Sequence, residues 1–493
     1  VWGLHRGNIM ISLILIGVLS ALLLVVYSTW RRDSRLPPGP TPWPVIGNIH
    51  QIDKLAPYET LMQFGEKYGP VYTIYFGWNP VVVLYGYDAL KEALIGQAED
   101  FSGRAIVPVF ERVANRKGLV FSNGAHWQQQ RRFSLATLRS FGMGKRSIEE
   151  RVREESTNLL EFFQEKKGNP FNPGPHITAA VSNVICSIVF GDRFDTEDGT
   201  FQTLLRMVNE NITFLGKRGF QANYNTFPGI LKHLPGEHNK IFQNVSKLKT
   251  FLRGLIDNHT LSRDPNCPRD FVDSFLNKMD EEAGNPDSHF TMESLTYTTF
   301  NLFIAGTETT SSTIRWALRF MLAYPHIQKR VQDEIDSVLG PDKCPSLEDR
   351  VNLPYTDAVI HEVLRYSSVV PNGLPHEALY DIKFKGYTIP KGTQIITFLF
   401  SALNDKGYWD DPEQFNPERF LDKEGKFVKN EAHLPFGAGK RACIGEALAR
   451  TEIFIFFVNI LQKFSLKSPP GEGGPIELAG GGTRAPRPFN VCA

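Results

Sequence analysis

The stretch Phe436-Gly437-Ala438-Gly439-Lys440-Arg441-Ala442-Cys443-Ile444-Gly445 decides how this chain reads. Glycines and small residues at 437–439 oppose a regular helix, and a run of good helix formers begins only at Glu446. A single cysteine therefore sits where a helix starts. Peptide N–H groups and the positive end of the helix dipole favour an anion there and moderate the basicity of a thiolate. Arg441 adds a cation beside the same site, suited to a carboxylate. Phe436 is placed to pack against the sulfur and screen it from water.

Working outward, the other cysteines (186, 267, 344 and 492) are scattered. No close pair suggests a zinc site, and an odd, sparse set is no disulfide framework, so the bulk of the chain reads as facing a reducing compartment. The 493 residues are 42% hydrophobic and 22% charged, enough to bury a large core. A net charge of +1 argues against nucleic acid as a partner.

The N-terminus points to a membrane. Ile9 to Tyr27 is uncharged and almost wholly apolar, long enough to cross a bilayer once. Arg31, Arg32 and Arg35 follow it, against Arg6 before it, which puts the C-terminal side in the cytoplasm and the short N-terminus in the lumen. The span ends in Val25-Val26-Tyr27 and basic residues rather than a small-residue cleavage site, so an uncleaved anchor is favoured over a signal peptide. Residues 1–30 are thus read as luminal tip and transmembrane anchor. Residues 31–48 are a basic hinge, with Leu36-Pro37-Pro38-Gly39-Pro40-Thr41-Pro42-Trp43-Pro44 as a stiff extended connector. Residues 49–493 read as one large domain.

The expected fold class is mainly α with a small β portion. Val71 to Tyr75 and Val81 to Tyr85 suggest a hairpin about Gly77 to Pro80, and a second β region runs from Ile382 to Phe400. Helical periodicity covers Ser147 to Lys166, Ile241 to Leu261, Leu318 to Leu339 and Glu446 to Phe464, with a long apolar helix beginning near Met292.

Three further constellations stand apart from the cysteine loop. Ala305-Gly306-Thr307-Glu308-Thr309-Thr310 puts a glycine and hydroxyls in mid-helix, favouring a local bulge and a groove, with Glu308 where that groove meets solvent. Thr309 and Glu308 together offer a hydroxyl and a carboxylate for proton delivery. Glu362-Val-Leu-Arg365 places opposite charges on one helix face, and Asn416-Pro417-Glu418-Arg419-Phe420 follows later. Trp127-Gln-Gln-Gln-Arg131 puts two donor-only side chains on one helical face.

The pattern F-x-x-G-x-R-x-C-x-G, preceded in order by W-x-x-x-R, A-G-x-E-T-T, E-x-x-R and P-E-R-F, resembles the cytochrome P-450 superfamily. The resemblance covers nearly everything from Leu36 onward. Its hinge, Phe101-Ser-Gly-Arg104 and the ending Arg484-Ala-Pro-Arg-Pro-Phe489-Asn-Val-Cys492 are most like the vertebrate microsomal family with drug-, fatty-acid- and steroid-hydroxylating members. It implies haem b as cofactor, with Cys443 the axial thiolate ligand of the iron. Arg441, Trp127, Arg131 and His376 would bind the propionates, while Phe436 and Gly306 would line the haem. Thr309 and Glu308 would be the catalytic acid–alcohol pair. Glu362, Arg365 and Arg419 would form a buried structural triad beneath the haem.

The implied activity is insertion of one oxygen atom of dioxygen into a lipophilic fatty acid, steroid or xenobiotic. No nicotinamide or flavin motif is evident, so the electrons must come from outside the chain; the resemblance implies an NADPH-dependent flavoprotein reductase as donor and leaves room for a small b-type membrane cytochrome beside it. Arg132 and Lys440 suggest the docking face. By the same analogy the substrate pocket draws on Ile106 to Phe110, Phe121, Phe214, Asn301 to Ala305, Val369-Val370 and Ala479-Gly480, while Lys217 and Arg218 read as a solvated face. The endoplasmic reticulum membrane is the implied location, with the catalytic domain cytoplasmic and the sequons at Asn211, Asn244 and Asn258 unused. A haem-thiolate isomerase or dehydratase acting on a peroxide, or a non-enzymatic haem sensor, are the rival functions.

Overall fold

The computed structural model describes residues 12–493 apart from 22–23, 25–32, 54–55, 106, 144–145, 217–219, 473, 475 and 480–481. Helices dominate. The largest are α1 (Gly124–Ser140), α2 (Arg146–Glu165), α3 (Gly174–Val189), α4 (Gly199–Leu215), α5 (His238–Ser262), α6 (Met292–Ala323), α7 (Pro325–Val338), α8 (Pro354–Ser367) and α9 (Glu446–Lys463). Helices α3, α6 and α9 bury side chains around nearly their whole circumference and meet in the largest core. That fits central helices of a large protein rather than surface ones.

The sheet portion is small. Strands β1 (Val71–Phe76) and β2 (Asn79–Leu84) form the expected hairpin about Gly77, which has φ +64. Strand β3 (His376–Glu377) and strand β6 (Gln394–Thr397) complete a four-stranded sheet in the order β1-β2-β6-β3, with β2 and β6 parallel. Pro80 lies just outside the β2–β6 ladder, which begins at Val81, so its missing N–H disrupts nothing. Strands β4 (Ile382–Phe384) and β5 (Tyr387–Ile389) turn through Lys385 and Gly386, both at positive φ, as a two-residue hairpin requires. Strands β7 (Leu478–Ala479) and β8 (Ala485–Pro486) form a third pair.

Three expectations shift. The helix expected over Leu318 to Leu339 is two helices, because Pro325 pushes Tyr324 out of helical backbone, to φ −125 and ψ 72. The second β region stops at Thr397, and Phe400 belongs to a short helix, Leu399–Leu403. The mid-helix bulge is absent: α6 is regular through Gly306. A Cβ there would stand 2.4 Å from Ile185 Cδ1, so glycine serves close packing on α3.

The proline hinge is docked rather than free where it is described. Thr73 N–H donates to the Pro38 carbonyl at 2.8 Å, and Gly39 lies against Thr73, where a Cβ would stand 1.9 Å from its carbonyl oxygen. Residues 12–21 are helical, and no helix among the described residues is long and apolar enough to cross a membrane. Arg6, Arg31, Arg32, Ile106, Lys217, Arg218 and Gly480 lie outside the described residues.

Candidate active site

The cysteine loop is closed by its own backbone. Cys443 N–H donates to the Phe436 carbonyl at 3.0 Å. Gly439 has φ +69, and a Cβ on it would stand 1.8 Å from the Leu94 carbonyl oxygen, so only glycine fits there. Phe436 packs against the largest core and carries the Arg450 guanidinium 4.9 Å above its ring.

Cys443 keeps exposed surface on one side and is crowded by protein on the others. Burial raises its thiol pKa. The Gly445 amide opposes this, the Glu446 carboxylate adds to it, and Arg131 and the Glu446 amide favour the anion. The amides at the helix start thus act as expected, but burial outweighs them. A thiol in this setting becomes a thiolate once a metal cation coordinates it.

Around the loop stands a cluster of guanidinium groups. Arg131, on α1, donates to the Ala442 carbonyl at 2.7 Å and lies close enough to Cys443 to feel its charge. Arg441 donates to the Ser102 carbonyl at 2.7 Å, to the Ser122 carbonyl at 2.8 Å and to Asn123 Oδ1 at 3.0 Å. Its guanidinium lies 3.7 Å over the Trp127 ring, while its Nη1 is buried without a partner. Burial, then Arg104 and Arg131, bring its pKa down to about 8.

Arg104 is buried, donates to the Leu374 carbonyl at 2.9 Å and leaves its Nε unpartnered. Burial and Arg131 bring its pKa down to about 9. Among the described residues, none of these three arginines has an ion-pair partner. His376 is buried as well. Its Nδ1 meets the Phe101 carbonyl at 2.5 Å, so that nitrogen carries a hydrogen. Burial, followed by Arg104, holds the pKa of His376 well below the usual histidine range. The neutral ring then presents Nε2 as an acceptor, and donating to a carboxylate there requires a second proton. An incoming anion favours that proton.

A cysteine with one open side, buried cations that repel one another and orphaned guanidinium nitrogens fit a metal complex carrying carboxylates. The family model for cytochrome P450 matches residues 37–493. The chain belongs to the cytochrome P450 family.

Among its relatives, it is 49% identical over 454 residues to cytochrome P450 2C20 of Macaca fascicularis, which covers 92% of each chain. It is 48% identical over 454 residues to cytochrome P450 2C8 of Homo sapiens, again 92% of each. With cytochrome P450 2G1 of Rattus norvegicus it shares 45% identity over 479 residues, 96% of each. Cytochromes P450 bind haem b through a cysteine thiolate, and this chain is an NADPH-dependent monooxygenase of the unspecific type.

On α6, Ala305 is exposed and Thr309, one turn on, is half-buried, in a stretch whose other faces are packed. The Thr309 hydroxyl donates to the Ala305 carbonyl at 2.7 Å. Glu308 departs from expectation. It is only 5% exposed, not at a solvent boundary, and its Oε1 accepts from Ser312 and Thr483, each at 3.0 Å, with Arg315 at 3.7 Å. Adjacent residues on a helix point about 100° apart, so the structure does not bring the Thr309 and Glu308 side chains together.

Glu362, Arg365 and Arg419 do meet. Arg365 grips Glu362 with two bonds of 2.7 and 2.8 Å, both side chains are fully buried, and Arg419 Nε reaches Glu362 Oε1 at 3.3 Å. The Asn416 N–H and the Leu403 and Gln414 carbonyls satisfy the remaining groups. Of the two docking cations, Arg132 is exposed, and Lys440 is engaged in an exposed ion pair with Glu99.

Sequence reasoning missed Arg104 as a site residue. Its place depends on Asn123, which accepts from the Arg104 N–H at 2.8 Å, and on the Leu374 carbonyl. The only sequence signal was its position in Phe101-Ser-Gly-Arg104.

Proposed function

We propose that this monooxygenase is membrane-anchored, acts on lipophilic substrates and holds haem through Cys443. The observation that carries the reading is an accessible cysteine beside a buried Arg104 and half-buried Arg131 and Arg441, none of which has an ion-pair partner among the described residues. When bound, haem supplies activation of dioxygen for attack on unactivated C–H bonds. Arg104, Arg131 and Arg441 receive the haem carboxylates, with Trp127 bracing Arg441 from behind and His376 closing the set. Arg131 also places positive charge beside the sulfur. Phe436 shields the sulfur's flank, and Gly306 lets α6 lie close to α3.

The Thr309 hydroxyl can leave the Ala305 carbonyl and turn a proton toward the opening at Ala305. Glu308 serves the same face through its hydroxyl partners Ser312 and Thr483 rather than directly. Glu362, Arg365 and Arg419 hold the segment that underlies the cysteine loop. Phe110 and Phe121 stack at 4.7 Å beside the substrate space and present apolar faces to it. Residues 49–493 act as one catalytic domain, and 31–48 as the hinge.

Two features support membrane attachment. The helical residues 12–21 expose Leu13, Ile14, Leu15, Ile16, Val18 and Leu19, an apolar surface on all sides that water does not favour. A second exposed apolar group, Trp43, Val45, Trp78, Ile230 and Leu234, lies on segments that touch one another: Trp78 meets the Phe227 ring at 6.2 Å, and Gly77 N–H bonds to Ile46. Tryptophans in such a patch suit a membrane interface. This geometry goes with an endoplasmic reticulum location, a cytoplasmic catalytic domain and a flavoprotein reductase docking near Arg132, with a b-type cytochrome as second donor.

The test is turnover of the haem-loaded protein with reductase, NADPH and a panel of lipids and drugs, read by product mass. The expected result is NADPH-dependent consumption of dioxygen with a product one oxygen heavier. A product isomeric with a peroxide substrate, formed without NADPH, contradicts it, as does haem binding with no turnover of any panel member.

A further inference from the structure

Glu452 is a carboxyl group for which the account so far has no use. It lies on α9, is 0% exposed, and is followed by the buried run Ile453, Phe454, Ile455 and Phe456. Neither of its oxygens has a hydrogen-bond partner. An ionised carboxylate so placed costs far more than a neutral one. Burial pushes its pKa well above the usual carboxylate range, the Thr310 hydroxyl is the one opposing influence, and among the described residues no charged group acts on it.

A neutral carboxyl is a donor as well as an acceptor. Thr310 is buried on α6, beside Thr309, and α6 packs on α9. The hydroxyls of Thr309 and Thr313 bond back into their own helix, to Ala305 and Thr309 carbonyls at 2.7 and 2.9 Å. Those bonds hold nothing across helices. A bond from Glu452 to Thr310, made by the acid once protonated, would cross from α9 to α6.

We propose that Glu452 is a positioning residue which, as the neutral acid, donates its O–H to Thr310 and fixes the rotational setting of α6 at Thr309. The inference rests on the reading that Thr309 delivers protons. Glu452 touches neither substrate nor haem in this account; it acts through the helix. Without that bond the α6 segment at Thr309 would sit differently against α9 and shift the Thr309 hydroxyl relative to the opening at Ala305.

The experiment uses the full-length, haem-loaded protein. Infrared difference spectra between the wild type and Glu452→Gln should show the carbonyl stretch of a protonated carboxylic acid, present in the wild type across neutral pH and lost in the variant. Thr310→Val, which removes the acceptor, should move that band. Glu452→Leu fills the space without a donor, and should raise hydrogen peroxide released per NADPH about fivefold, the shift expected from losing one ordinary hydrogen bond. Glu452→Gln, whose amide donates, should restore the wild-type yield.

Absence of the acid band overturns the proposal, as does a band indifferent to Thr310→Val. Equal peroxide yields from the wild type, Leu and Gln variants overturn it too, and if the Leu variant does not fold, the infrared arm still decides. Thr309→Ala is the separate control. If it leaves the peroxide yield unchanged, the proton-delivery reading fails, while the acid band still reports on Glu452 itself.

Discussion

A guanidinium taken out of water with no carboxylate beside it is an unfinished interaction, and the buried Arg104 and half-buried Arg131 and Arg441 cluster near Cys443. Arg104 and Arg441 each leave a nitrogen without a partner, and burial with mutual repulsion lowers the pKa of both. Binding two carboxylates among them removes the repulsion and completes the hydrogen bonds. Replacing one arginine therefore weakens haem retention. Arg104→Gln should cost about 1.5–3 kcal/mol, the usual worth of a charged hydrogen bond, or roughly 10- to 100-fold in haem affinity. Transfer of haem to an acceptor protein measures this, and an unchanged transfer rate removes Arg104 from the site. Arg131 and Arg441 were legible in the sequence because each belongs to a short pattern. Arg104 was not, because its surroundings come from residues 123 and 374, and no local spacing announces such a meeting.

At the scale of elements, the firmest construction is the junction of α8 with the segment Pro417–Phe420. Glu362 and Arg365 are one turn apart on α8, and Arg419 arrives from that segment. Every charged atom there is answered, so removing one partner strands a buried charge. Arg365→Ala should destabilise the fold by about 3–5 kcal/mol and abolish haem incorporation. Urea unfolding and haem content per chain check this, and normal values for both would sink the structural role.

Elements were legible where periodicity was long, as in α2, α5 and α9, whose observed ends lie within three residues of those expected. The break at Pro325 was missed because the apolar pattern runs through it, and pattern does not register one backbone restriction. Gly306 was read as a weak point when it is a point of contact. Sequence shows that a residue lacks a side chain, but not which neighbour needs the room. Glu308 was misplaced for a similar reason: Thr483, which helps bury it, lies far along the chain.

At the scale of the whole molecule, apolar surface is concentrated on helical residues 12–21 and on the group around Trp43, Trp78 and Ile230. The proposed membrane attachment would set both in a bilayer interface and so orient the catalytic domain on one side. Protease added outside intact microsomes should digest that domain, while high salt or alkali should not strip the protein from the membrane. Protection of the domain overturns the orientation, and release by alkali overturns the anchor. Of the three sequons, Asn258 is exposed and the other two are not. Asn211 and Asn244 are buried, and Asn244 Nδ2 bonds to Asn211 Oδ1 at 3.2 Å and to Glu210 at 3.1 Å, so neither amide is free to carry a glycan.

The central claim is that Cys443 ligates the haem iron as a thiolate, and the ferrous carbon-monoxide spectrum tests it most directly. The wild type should show the far-red Soret band of thiolate ligation, and Cys443→His should retain haem but lose that band. A spectrum unchanged by the substitution, or a wild type without the band, would contradict the account.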